Sequence, residues 1–171
     1  MLKVITVAWL LLFLGDFLST FCYHIPQHVF GKLHLQVHHS PRQHYWHYAV
    51  ISTDPNVLLD GILGALPYLF LALPLGFLSL GGVVLGLALG QFHVWWRHTT
   101  ALQWQTPQLI GVLCRFLSIT TPELHWEHHR NTTRGYGDIF TIFDKPGRVW
   151  LRQLRRWRYR LKASLALVTR I

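Results

Sequence analysis

Acidic side chains are scarce in this chain. Seven Asp and Glu stand against 16 Lys and Arg in 171 residues, and only Glu123 and Glu127 are glutamates. A carboxylate-bridged di-iron bundle draws four glutamates and two Glu-x-x-His motifs from its helices, so arithmetic excludes it. Cysteine is rarer still. Cys22 and Cys114 lie far apart with no Cys-x-x-Cys spacing, which implies no disulfide framework. Charged residues make up 13%, about half of what a soluble globular domain carries. The glycines at 61–64 and 76–90 lie in apolar stretches and form no strand-turn-helix Gly-x-Gly-x-x-Gly, so a built-in flavin or nicotinamide site is excluded. Internal repeats, low-complexity tracts and long linkers are absent too, and a single domain over 1–171 is expected.

What is present is apolar sequence in long runs. Val4 to Cys22 holds 19 residues with one charge; as a helix it is about 28 Å long, enough for a hydrocarbon core of about 30 Å. Its n-region has only Lys3, the run exceeds a signal peptide's apolar segment, and no small-x-small site precedes Cys22, so it reads as a retained span. Val57 to Trp96 carries only Asp60 as a charge, and Pro74, Gly76, Gly81 and Gly82 punctuate its centre. The expected fold is therefore all-α: an integral membrane helical domain of about three spans (4–22, 57–75 and 80–97) with a histidine-rich cap. Fifteen of the 16 Lys and Arg fall in 23–56 and 97–171, which puts both segments, with the histidine clusters and the C-terminus, on the cytoplasmic face.

The net charge of +9 does not point to nucleic acid. Its surplus sits in RVWLRQLRRWRYRLKASLALVTRI, where Trp150, Leu154, Trp157, Leu161 and Leu165 recur at helical spacing. A basic amphipathic helix over about 147–168, lying on anionic headgroups, is expected. Leu109–Ile119 is too short to span and reads as a surface helix or a re-entrant element.

Twelve histidines form the main signal. Ten fall into four clusters: His24 and His28; His34, His38 and His39; His93 and His98; His125, His128 and His129. Neutral imidazole is the commonest protein metal ligand and suits Fe, Zn, Cu and Ni. Residues three or four apart share a helical face, so His34 with His38, and His125 with His128, read as two-toothed clamps whose last histidine, His39 or His129, faces a second ion. A zinc site uses three or four ligands; ten suffice for two ions. A haem cytochrome would put single histidines inside facing spans, whereas these gather at span ends. A dinuclear, imidazole-rich metal site remains.

The runs DFLSTFCYHIPQH…HLQVHHS, FHVWWRH and LHWEHHRNTTRGYGDIFTIFD resemble the fatty acid hydroxylase/sterol desaturase superfamily of membrane di-iron proteins, from about Asp16 to Phe143. The resemblance implies a helical membrane domain with a cytoplasmic cap holding two iron ions. It implies O2 as co-substrate, hydroxylation or desaturation of a lipid C–H bond (fatty acyl, sterol or carotenoid), and an external electron donor of ferredoxin or cytochrome b5 type. The family's paired clusters correspond to His24/His28 and His93/His98, its triplets to His34/His38/His39 and His125/His128/His129, and its short turn to Gly-Tyr-Gly-Asp at 135–138.

Some positions depart from the family. Three residues, not two, separate His34 from the pair that follows. Pro26 sits inside the first clamp, where it removes a backbone donor, and Pro41 is expected to end the helix of the second. His93 and His98, five apart, can share a metal only if the helix ends or bends between them. The chain is short for the family and leaves room for an oligomer. His44 and His47 belong to no cluster and read as surface residues, with a ligand-supporting role as the alternative. Asp16, an intramembrane carboxylate eight residues before His24, is expected to orient a ligand; Glu127 and Asp138 are similar candidates or exposed cap residues. A non-enzymatic metal-handling protein would need a path of acidic or histidine residues through the spans, yet Asp16 and Asp60 are the only acidic residues there and both lie near span ends. A family member that keeps the fold without turnover stays open.

Overall fold

The computed structural model describes residues 1–40 and 43–168; Pro41, expected to stop a helix, lies outside them. Among the described residues there is no strand, only an isolated bridge between Ile119 and Phe140. The first apolar run folds as one rod: α1 (Leu2–Leu18), a π-helical turn (Ser19–His24) and α2 (Ile25–Val29). At Pro26 the rod changes register instead of ending. Ile25 N–H reaches back five residues to the Thr20 carbonyl, and Pro26 has no N–H to offer the Phe21 carbonyl in turn. The Trp150 indole donates to that carbonyl at 3.0 Å.

The second apolar stretch gives α5 (Pro55–Leu78) and α6 (Leu80–Arg97). Pro67 and Pro74 both lie inside α5, so the break expected around Pro74 falls later, at Ser79. That residue is extended and caps α6 by accepting from Gly82 N–H. The rod and α5 are long and apolar enough to cross a membrane. At about 27 Å α6 approaches that length, but its second half carries Gln91, His93 and Arg97. Along α5 only 6% of the apolar window is buried inside the protein. An apolar helix so exposed needs an apolar solvent.

Glycine sets the packing of α6 on α1. A Cβ at Gly82 would stand 2.8 Å from the Val4 carbonyl oxygen, and one at Gly86 3.1 Å from that of Ala8, so the two backbones touch without side chains between them. The Gly82 end therefore lies beside the N-terminus of α1, and His24, Asp60 and Arg97 gather at the other end. Short elements cover that end: α3 (Leu33–Val37), α4 (Tyr45–Tyr48) and α8 (Pro122–Arg130).

The basic helix, α9 (Asp144–Val168), starts slightly earlier than the sequence suggested. Leu151 and Leu154 bury against Ile25, Val29 and Tyr136, and Arg158 donates to the Val29 carbonyl at the C-terminus of α2. The short segment forms α7 (Gln108–Phe116), whose Leu109, Ile110, Val112, Leu113 and Phe116 are all exposed.

Candidate metal centre

Eight of the ten cluster histidines converge in two groups of four. In the first are His24, His28, His39 and His128; in the second, His38, His98, His125 and His129. Within each group the ligand atoms lie within 4.8 Å of one another. Local structure explains the sorting. On α8, His125 and His129 are one helical turn apart and serve the second group, while His128 between them turns to the first. Spacing alone pairs His125 with His128; on the folded helix the four-residue separation of His125 and His129 prevails instead. His38 and His39, adjacent at the end of α3, likewise divide between the groups. Because α6 ends at Arg97, His98 leaves the helical path as its cap residue, with φ −99° and ψ 1°, and separates from His93.

The protonation pattern tests whether a cation fits. A neutral imidazole has one N–H and one lone pair. His98 spends its N–H on the Val94 carbonyl (2.7 Å), and His128 spends its own on that of Arg134. Their Nε2 atoms must then present lone pairs. Yet His98 Nε2 stands 3.3 Å from His38 Nε2 and 3.0 Å from His125 Nε2, and His128 Nε2 stands 2.9 Å from His24 Nε2. In addition, His28 Nε2 and both ring nitrogens of His39 are buried without any partner. A buried polar atom left unpaired is costly, and lone pairs that converge are satisfied by a positive ion. The residues fit a metal.

Burial also keeps these rings in the ligating state. Desolvation is the first cause in each case: it holds His38, His98, His125 and His128 well below the ordinary histidine range, and lowers His129 and His39, the latter to about 3.

His34 and His93 are the two that neither group includes. His93 donates Nε2–H to the Thr120 carbonyl at 3.0 Å and so ties α6 to the segment before α8. His34 packs edge-on against His24 and His39, but its Nδ1 faces the Asp60 carboxylate. The supporting candidates separate clearly. Asp16 is buried and accepts from three successive backbone N–H groups, Asp138, Ile139 and Phe140, at 3.1, 3.0 and 2.7 Å. Asp138, held in place by that bond, pairs with Arg97 at 2.8 Å and lies 3.5 Å from His24 Nδ1. Asp16 thus acts on His24 through Asp138, without touching a histidine itself.

Glu127, by contrast, is an exposed residue paired with Arg134, and His44 is exposed at the start of α4; both belong to the surface. His47 holds the Val37 carbonyl next to His38 at 2.9 Å. Arg97, Asp60 and Tyr23 escaped the sequence reading as parts of the site. For Asp60 a signal existed: it is the lone charge of a 40-residue apolar stretch.

A cavity of about 330 Å³ opens from this centre, within the size range of small-ligand sites. His24, His34 and His38 stand at its head; Leu58, Ile62, Ala65, Leu69 and Leu87 line its length together with Gly61, Gly64 and Gly90. It runs between α5 and α6, where the walls are mostly apolar with Tyr68 and Gln91 among them.

No curated protein and no solved structure matches the chain significantly. Residues 9–147 match the model of the fatty acid hydroxylase family, and the chain belongs to that family.

Proposed function

We propose that this protein is a membrane-embedded, O2-dependent di-iron oxidoreductase that hydroxylates or desaturates a C–H bond of a lipid, whether fatty acyl, sterol or carotenoid. The observation that carries the reading is the pair of four-imidazole groups at the head of an apolar cavity. His24, His28, His39 and His128 would hold one iron, and His38, His98, His125 and His129 the other. When bound, the irons supply O2 activation and the oxidising power for C–H cleavage. The chain's own residues do the rest. Backbone carbonyls of Val94 and Arg134 fix the tautomers of His98 and His128. Asp16 pins the 138–140 backbone, which holds Asp138 between Arg97 and His24. Apolar walls orient the lipid and exclude water.

In this reading α6 is a third span, the N-terminus lies outside, and the histidines and C-terminus are cytoplasmic. The positive residues of 23–56 and 97–171 support that orientation. Electrons come from an external ferredoxin- or cytochrome b5-type donor, for which the basic face of α9 offers charge complementarity.

Purification from iron-replete cells, with iron counted per chain and O2-dependent lipid product measured with a reductant, tests the proposal. Two irons and an oxidised or desaturated lipid are expected. One tightly held zinc without iron would overturn it. Two irons without O2 consumption would leave a metal-binding family member and remove the enzyme.

A further inference from the structure

His34 has three properties that no other cluster histidine combines. It lies outside both groups of four, its Nδ1 is 3.2 Å from each oxygen of Asp60, and its Nε2 is buried without a partner. The residue is only 7% exposed. Asp60 is fixed in its turn: it sits on α5 and accepts from the Tyr23 hydroxyl at 2.6 Å, and Tyr23 belongs to the π turn of the first rod. One carboxylate therefore ties three separate elements together at the head of the cavity, which His34, Asp60 and Tyr23 all line. A carboxylate accepts and does not donate, so His34 carries its proton on Nδ1 and presents a lone pair at Nε2. Around that ring stand three members of the first group, His24, His39 and His28, edge-on or nearly so at ring-centroid distances of 4.7, 5.0 and 5.4 Å, while His38 of the second group stacks on its face at 4.8 Å.

We infer that Asp60, steadied by Tyr23, is a positioning residue that fixes His34 as an additional ligand for the metal held by His24, His28, His39 and His128. The inference rests on the metal-centre reading given above. A carboxylate on the far nitrogen of a ligating imidazole sets its tautomer and ring angle and raises its basicity, and its loss costs about 10–100-fold in metal affinity. The arrangement also answers a geometric problem. His34 is placed one residue away from the family's usual spacing, and a short helix alone does not aim it; a carboxylate from a different span does. Asp60 is, on this account, retained in an apolar helix for what it does to His34.

The test is titration of metal-free protein with Co2+, read by visible absorption and by metal per chain, which needs no turnover. Wild type is expected to bind two equivalents. Asp60→Ala should weaken one of them by about 10–100-fold, change its absorption band and leave the other as in wild type. Asp60→Asn, which keeps an acceptor oxygen, should restore part of that affinity. Tyr23→Phe should lower the same equivalent by a smaller factor, and His34→Ala should match or exceed Asp60→Ala.

Thermal unfolding of each metal-free variant is measured alongside. If Asp60→Ala unfolds the protein, Tyr23→Phe and Asp60→Asn carry the test. Two equivalents bound to Asp60→Ala with wild-type affinity and spectrum would overturn the inference and leave the metal-centre reading intact. Equal weakening of both equivalents in Asp60→Asn and Tyr23→Phe would reduce Asp60 to a structural role and overturn it as well. A wild-type protein that binds no Co2+ would instead defeat the metal-centre reading itself.

Discussion

Where an imidazole spends its single N–H decides where its lone pair points, and that choice separates the ligand candidates here. Eight of the ten histidines singled out by spacing converge. Clusters with helical spacing were visible in the sequence because helix geometry is local. His93 does not join them because its N–H goes to the Thr120 carbonyl, 27 residues away, and no local pattern marks such a bond. Replacing His128 or His129 by Ala should remove iron and product together, since each leaves three imidazoles in its group. Replacing His44, exposed and outside both groups, should leave iron content close to wild type; equal loss of iron would show the groups to be misassigned. Acid should act through the same rings. Burial holds His39 down to about 3 and lowers its neighbours too, whereas unfolded histidines take up protons near pH 6.5. The unfolded chain therefore binds more protons below that pH, and native stability is full above it and lost as pH falls toward 3. Melting of the metal-free protein in detergent should be flat from about pH 8 to pH 7 and decline steadily below about pH 6. A melting temperature that rises on acidification would mean that these rings are not kept neutral.

At the scale of elements, the long helices were legible and their joints were not. Apolar runs announce spans, but a run apolar on all sides carries no periodicity to show which face packs. Gly81 and Gly82 therefore read as breakers, whereas Gly82 lies inside α6 as the surface on which α1 rests. Pro26 read as a lost backbone donor inside the first clamp; the chain absorbs it through a π turn whose spare carbonyl is taken by Trp150, 129 residues on. Only the tertiary fold supplies that partner. The glycine face can be tested by addition of one methyl group. In an open helix Gly→Ala gains up to about 1 kcal/mol, and Gly76, with nothing within 4 Å of its Cβ position, should follow that rule. At Gly82 the new methyl would stand 2.7 Å from Val7 Cβ and 2.8 Å from the Val4 carbonyl oxygen. Overpacking of this kind costs about 1–3 kcal/mol, so Gly82→Ala should lower the unfolding temperature in detergent and Gly76→Ala should not. Equal behaviour of the two would mean that α1 and α6 are not in backbone contact.

For the whole molecule, the charge bias and the packing both support the proposed topology. Gly82 meets Val4 at one end, and His24, His34 and Asp60 meet at the other, an arrangement that agrees with the three crossings proposed above. Reporter fusions after residues 50, 78 and 171 should read inside, outside and inside; a cytoplasmic signal at 78 would contradict the three-span arrangement. On the proposed function the cavity between α5 and α6 is the lipid's route to the histidines, and Gly64 is the place to obstruct it. This residue lines the cavity, and a Cβ there meets only the Tyr23 ring, at 3.7 Å, an ordinary van der Waals contact. A larger side chain at 64 can thus occupy cavity space without pressing on backbone. Gly64→Val should keep its iron, because no histidine moves, while its product profile from the host's lipids shifts toward shorter or slimmer substrates. Gly76→Val, at a position with no neighbours, is the control and should leave the profile alone. An unchanged profile in Gly64→Val, with iron retained, would mean that the lipid reaches the histidines by another path, because a narrowed channel that carried the substrate would have to sort it by size.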